Sequence, residues 1–244
     1  MPEIQIGENT IPYTIRKSKR AKNLIIKIGV DHGVEVVIPH RARIDSVEPF
    51  LRRREDWLLQ NHLYYQAQRD HQDGRQFITG ETLPFMDQIL MLDVEQKTRG
   101  KRTSVELDED TLRLIVRLRS DIEDAEHREE TTSAIEKWYR EQAKAILVPL
   151  TRQIAEQYGF SPKNIAIRGQ KTRWGSCSSN GNLNLNWRLL LAPSEAMKYV
   201  IIHELCHLRE LNHSKRFWQL VGEYCPDYRK WRKWLKDNDT TLRL

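Results

Sequence analysis

The chain is 244 residues long, with 40 lysines and arginines against 34 carboxylates, a net charge of +6 and 39% hydrophobic residues. That is enough chain for one large or two modest domains with a proper core, so stability does not require disulfide staples, and Cys177, Cys206 and Cys225 are odd in number without paired spacing. No apolar run approaches the roughly 20 residues of a membrane span and the N-terminus shows no signal segment, so a cytoplasmic protein without membrane contact is expected.

From Ile11 to Pro39 the residues read as strands, I-P-Y-T-I-R, N-L-I-I-K-I-G-V and G-V-E-V-V-I-P, with Asp31-His32-Gly33 turning between the last two. A small antiparallel sheet is predicted. The basic run from Arg16 to Lys22 falls in a connection, where it reads first as an exposed loop and second as a nucleic-acid contact. Asp45 or Ser46 is placed to cap a helix carrying Val47, Phe50, Leu51, Trp57 and Leu58 on one side and Arg52, Arg53 and Arg54 largely on the other, with Tyr64 and Tyr65 extending it. Further strands follow in F-I-T-G-E-T-L-P-F, Q-I-L-M-L-D-V and the segment from Thr103 to Arg117, with a hairpin turn at Asp108 to Asp110.

A boundary is expected near Ser120, dividing a β-rich region with one helix, 1–120, from a region 121–244 that begins with a helical pattern over Glu123 to Tyr158. The two are read as packed layers or as one continuous unit. No internal repeat is legible. The second region continues through I-A-I-R, then Arg173-Trp174-Gly175-Ser176-Cys177, whose first reading is a tight turn. A strand follows, alternating Leu183, Leu185 and Trp187 with Asn182, Asn184 and Asn186. Helices predicted after His213 and from Tyr228 to Lys236 close the chain, the first capped by Ser214.

The stretch from Tyr199 to His213, Y-V-I-I-H-E-L-C-H-L-R-E-L-N-H, carries the chemistry. At ~100° per residue on a helix, His203 and His207 share one face a turn apart and form a chelating pair. Glu204 lies on the flank of that face, placed to touch a water on the metal, so H-E-x-x-H reads as two zinc ligands and a general base. Met197, Val200, Ile201, Ile202, Leu205 and Leu208 make the same helix a buried one, where unpartnered His and Glu side chains are costly and a ligand role removes that cost. A third ligand is needed. On a continuous helix His213 points elsewhere, so the chain must turn, and Asn212 in the left-handed conformation is the expected pivot. Glu223, in the following helix, is the carboxylate alternative. The spacing to His213 is that of the metzincins, yet Glu210 stands at their turn glycine and no methionine follows His213, which removes a methionine turn. Cys177 and Cys206 read as small buried residues rather than ligands.

R-W-G-S-C-S, N-L-N-L-N-W-R-L, H-E-L-C-H-L and N-H-S-K-R-F-W together resemble the YgjP-like metallopeptidases, which are similar to the SprT and WLM zinc proteases. The resemblance spans most of the chain and is strongest from Arg168 to Trp218. It implies an α+β, zincin-like metallopeptidase fold behind the antiparallel β-rich N-terminal region, with His203, His207 and His213 holding Zn2+ and Glu204 as catalytic base. A zincin's edge strand pairs with extended substrate, and the Asn-alternating strand is the candidate here. The expected activity is peptide-bond hydrolysis, with a peptide or protein as partner. A DNA-associated SprT-like protease and a zinc-containing binding module without turnover are the rivals.

Overall fold

In the computed structural model of the chain, positions 30–32, 74, 171, 240 and 243 lie outside the described residues, as do the side chains at 64, 65 and 67–73. Most of the expected turn at 31–33 therefore falls outside them, as do the side chains of Tyr64 and Tyr65. The architecture is mixed α+β, arranged as two compact units, Met1–Arg75 and Gln76–Leu244. The division comes well before the expected boundary near Ser120. Its cause is packing, because Leu83, Leu90, Leu92, Leu114 and Val116 share one core with Ile135, Trp138 and Tyr139 of the long helix that follows them.

In the first unit, β1 (Glu3–Ile6), β2 (Asn9–Ser18), β3 (Ile25–Gly29) and β4 (Gly33–Pro39) form a sheet in the order β1-β2-β4-β3. The sheet is not wholly antiparallel: β2 and β4 run parallel, Tyr13 opposite Val34. The β3–β4 hairpin folds back so that its second strand lands beside β2, and alternation within each strand carries no information about which one does. A 3₁₀ turn at Ile44–Ser46 leads into α1 (Val47–Arg52) and α2 (Glu55–Asp73). Neither expected cap acts, since the Ser46 hydroxyl donates backwards to the Arg43 carbonyl at 2.5 Å. Ile4, Ile11, Val36, Ile38, Leu51 and Leu58 fill the core between sheet and helices.

The second unit opens with the same topology. Its strands β5 (Thr82–Phe85), β6 (Gln88–Gln96), β7 (Ser104–Asp108) and β8 (Arg113–Leu118) lie in the order β5-β6-β8-β7, again with a parallel central pair. The registers coincide as well. Glu3 faces Pro12 where Thr82 faces Met91, Tyr13 faces Val34 where Leu92 faces Leu114, and Ile25 faces Val37 where Ser104 faces Arg117. Each sheet is followed by a 3₁₀ turn and a helix, and Gly7 and Met86 occupy the same left-handed turn position at φ 58° and 56°. The chain thus contains an internal structural repeat that its sequence hides, because the shared property is apolar burial at matched positions: Ile4 and Leu83, Ile11 and Leu90, Val36 and Val116, Leu58 and Trp138.

Beyond the repeat come α3 (His127–Gln157), β9 (Asn164–Arg168), β10 (Gly175–Cys177), β11 (Asn182–Asn186), a 3₁₀ turn at Trp187–Leu191, α4 (Ser194–Cys206), α5 (Lys215–Tyr224) and α6 (Tyr228–Asn238). No helix among the described residues is long and apolar enough to cross a membrane. A sheet of order β10-β11-β9 carries Leu183 and Leu185 into the core, against α3 and α4. The second copy of the repeat sets the start of α4. Met86 N–H donates to the Leu190 carbonyl at 2.6 Å, and the Asp87 carboxylate accepts from Ser194 N–H at 3.0 Å, serving the first turn of a helix whose own N-cap is Pro193.

These bonds from Ser194 hold the Asp87 carboxyl below its usual value, so its contribution is present above the ordinary carboxylate range and lost as pH falls through Asp87's own lowered pKa. Asp87→Ala is expected to cost about 0.5–1 kcal/mol at neutral pH, low in the capping range because the group is exposed. Denaturant unfolding at neutral and acidic pH measures this, and the difference between the two proteins should shrink in acid.

Candidate metal centre

Helix α4 brings His203 and Glu204 into the interior of the second unit, Glu204 with 6% of its surface exposed. The helix ends earlier than the sequence suggested. Cys206 is its last residue and His207 its C-cap, and the Cys206 carbonyl accepts from both Arg209 and Glu210 N–H at 3.0 Å, so the chain leaves the axis at once. Asn212 is therefore not a left-handed pivot, since among the described residues the positive-φ residues other than glycine are Phe77, Met86 and Leu112. The early exit returns His213 to the face that carries His203 and His207. Ser214 N–H donates to the Asn212 carbonyl at 2.8 Å across it, and the Ser214 hydroxyl then accepts from Phe217 N–H at 3.3 Å as the expected cap of α5.

One nitrogen from each of His203, His207 and His213 lies within 4.8 Å of the others, a group suited to a metal ion. The Nε2 atoms of His203 and His213 are 3.1 Å apart, close to the roughly 3.3 Å edge of a tetrahedron whose nitrogen–metal bonds are about 2.0–2.1 Å. His207 Nδ1 lies 3.0 Å from the Glu210 carbonyl, a contact that places the proton on Nδ1 and leaves Nε2 as a lone pair. His203 Nδ1 is buried without a hydrogen-bond partner among the described residues. A shared proton can satisfy the facing pair but leaves the third ring unserved, whereas a cation serves all three. Burial, reinforced by the neighbouring histidines, pushes His203 down to about 3, and burial lowers His207 too, so both rings are held in the neutral form that ligates metal.

Aromatic rings from α5 fix the imidazoles. Phe217, fully buried, stacks on His207 at 4.4 Å, and Trp218 stacks on His213 at 5.5 Å. The F-W pair carries no ligand chemistry, so sequence pattern alone gives no signal of this role. Glu223, the carboxylate alternative, is exposed on α5 and outside the histidine group.

The stretch from Arg173 to Cys177, expected to be a tight turn, contains strand β10 instead, and it lies against Glu204. A Cβ built on Gly175 would meet Glu204 Cγ at 2.6 Å and its carboxyl atoms Oε1 and Cδ at 2.7 and 2.8 Å, so any larger residue must displace that side chain. The alternating asparagines hold this strand. Asn184 Nδ2 donates to Ser176 Oγ at 3.1 Å, while Asn186 Nδ2 donates to the carbonyls of Gln170 at 2.6 Å and Arg173 at 2.8 Å. The Asn-alternating strand β11 is therefore interior, paired on both sides, and β10 is the edge nearest Glu204. Burial pushes the Glu204 carboxyl up to about 8, opposed by the charge of Arg173. Cys177, raised to about 11 by burial and by Glu204, is a protonated thiol outside the histidine group, and Cys206 is fully buried with its pKa also raised, to about 12.

The sequence model of a family described as YgjP-like, metallopeptidase domain, matches residues 22–238. Among solved structures, the crystal structure of the metallopeptidase zymogen of Pyrococcus abyssi abylysin matches with 25% identity and a TM-score of 0.33, over 36% of this chain and 91% of that one. No curated protein matches the chain.

Two outcomes follow from the buried carboxyl. In metal-free protein, a Glu204 that keeps its proton to about pH 8, against 4.5 for a free side chain, stabilises the fold fully below the lower value and loses that contribution as pH rises to the higher one. Melting temperatures of chelator-treated Glu204→Gln and parent protein should therefore diverge in favour of the variant between these limits. Gly175→Ala should displace the Glu204 side chain and depress any Glu204-dependent activity by at least tenfold, with bound metal per chain unchanged; a misplacement of about 1 Å can cost a hundredfold.

Proposed function

We propose that this chain, which belongs to the YgjP-like metallopeptidase family, is a zinc-dependent peptidase of zincin-like fold. In this reading His203, His207 and His213 hold the metal and Glu204 is the general base. The observation that carries it is the convergence of three imidazole nitrogens within 4.8 Å beside a buried carboxyl group. Family membership supplies the metal and the reaction class. Zinc is the preferred ion because three imidazole nitrogens and no carboxylate make the donor set.

Bound zinc supplies Lewis acidity, which makes water more acidic and polarises a carbonyl group. Glu204 takes the proton from the attacking water and returns it to the departing amine. Burial makes the ionised Glu204 a stronger base than a free carboxylate, and positive charge beside it, from Arg173 and from a cation held by the three histidines, would favour that ionised form. The Glu210 carbonyl, Phe217 and Trp218 orient the imidazoles, so that ligand geometry does not have to be reached anew in each cycle. An extended peptide is taken to pair with the outer edge of β10, which bonds to β11 on its other side; backbone pairing there needs little from the substrate's side chains. Three free cysteines support a cytoplasmic setting.

The test compares ligand and base. His207→Ala should lose metal and activity together. Glu204→Gln, matched in size, should retain zinc measured on the same sample while hydrolysis of an unfolded protein or peptide library falls by about 100-fold or more. A Glu204→Gln protein with full zinc and near-parental turnover overturns the mechanism. A parent protein that binds zinc stoichiometrically yet cleaves nothing leaves the binding-module reading instead.

A further inference from the structure

The chain's positive charge is not spread evenly. Residues 160–244, which build the histidine site and its surroundings, contain fifteen lysines and arginines against seven carboxylates, while the remaining 159 residues carry a slight acidic excess. Several of these cations are used by the fold. Arg209 bonds to Tyr224 Oη and to the carbonyls of Tyr158 and Gly159, Lys198 pairs with Glu195, and Lys233 pairs with Asp237.

Two guanidinium groups next to the site are not used this way. Arg173 precedes the edge strand β10 and is exposed, and its backbone is pinned by Asn186 through the bond to its carbonyl and that of the neighbouring Trp174. It stands two residues before Gly175, whose missing Cβ gives Glu204 its room, and its charge acts on the Glu204 carboxyl. Arg232, exposed on α6, has its guanidinium carbon 4.5 Å above the Trp218 ring, and that ring stacks on His213. Among the described residues, neither guanidinium has a hydrogen bond or a carboxylate oxygen within 4.0 Å. Lys215 and Arg216, directly after His213, are likewise exposed and without a carboxylate partner.

We propose that this cleft selects acidic polypeptide segments, with Arg173 and Arg232 receiving carboxylate side chains on the two flanks of the scissile bond. The inference rests on the peptidase reading and names its substrate class. Arg232 rests on Trp218 and Arg173 acts on Glu204 through its charge, yet both guanidiniums are exposed with N–H donors unused among the described residues, and such groups beside one site are complementary to anions supplied from outside. A nucleic acid is the weaker fit. Single-stranded binding uses aromatic faces free to stack bases, whereas Trp218 lies against His213, Tyr228 and the Arg232 guanidinium.

The test uses the full-length, zinc-loaded Glu204→Gln protein, so that binding is read without turnover. Fluorescence anisotropy is measured for three labelled extended peptides of equal length, with Glu, Gln or Lys at the flanking positions, and for a single-stranded oligonucleotide carrying the charge of the Glu peptide. Two exposed ion pairs predict roughly five- to tenfold tighter binding of the Glu peptide than the Gln peptide, a preference that declines with added salt. Arg232→Glu should abolish most of this preference and improve the Lys peptide; because this residue lies outside the ligand set, metal content provides the folding control. In the parent enzyme the same ranking should appear in kcat/KM. Equal affinity for Glu and Gln peptides overturns the inference while cleavage of both leaves the peptidase standing. An oligonucleotide bound more tightly than the Glu peptide overturns it in favour of a nucleic-acid site. Selective binding of the Glu peptide by a zinc-loaded parent that cleaves none of the peptides upholds acidic recognition and removes the peptidase reading.

Discussion

A carboxyl group buried on a core helix is the constraint around which the second unit is arranged. Glu204 sits with the apolar residues of α4 and has no room unless the strand facing it lacks a Cβ, which Gly175 provides. The three-residue edge strand β10 is held by its antiparallel backbone pairing with β11. The amides of Asn184 and Asn186 anchor it from β11, and Leu183 and Leu185 anchor β11 in turn by full burial. Each layer therefore fixes the next, from core to asparagine face to edge strand to carboxyl.

The histidines obey a different logic, in which the interruption of a helix matters more than the helix. His203 and His207 are juxtaposed by periodicity alone, but His213 reaches them because α4 stops at Cys206 and α5 begins directly beyond Ser214. Phe217 and Trp218 then cover His207 and His213 with ring faces, which limits the orientations of the imidazoles without competing for their nitrogens. Rigid placement of donors in this way reduces what must be ordered when a cation arrives.

Local patterns were readable from the residues and pairings across the fold were not. The spacing of His203 and His207, the Ser214 cap, the helix on Ile135, Trp138 and Tyr139, and the alternation of β11 all follow from periodicity or capping within a few residues. The expected pivot at Asn212 failed because a tightened turn satisfied the Cys206 carbonyl without left-handed backbone. Arg173 to Cys177 looked like a turn because Gly and Ser favour turns, and the reason for its glycine lies in Glu204, far along the chain. The asparagines of β11 mark one face of the strand but carry no information about its neighbours, and the edge is β10. The division after Arg75 and the parallel pairing of β2 with β4 likewise depend on which strand lands beside which.

The repeated sheet has a consequence for how the chain reaches its fold. Strand β2 meets a parallel partner in a register that β8 offers as well as β4, so each copy presents the other with a decoy. Separation along the chain works against the wrong match: β4 begins at Gly33, soon after β2 ends at Ser18, whereas β8 begins only at Arg113. Closing the shorter loop costs less entropy, and a ribosome releases the whole first sheet before β8 has been made. Side-chain volume adds a second barrier, because Tyr13 and Leu58 stand where the other copy has Leu92 and Trp138, and a core shaped for one pair is filled badly by the other.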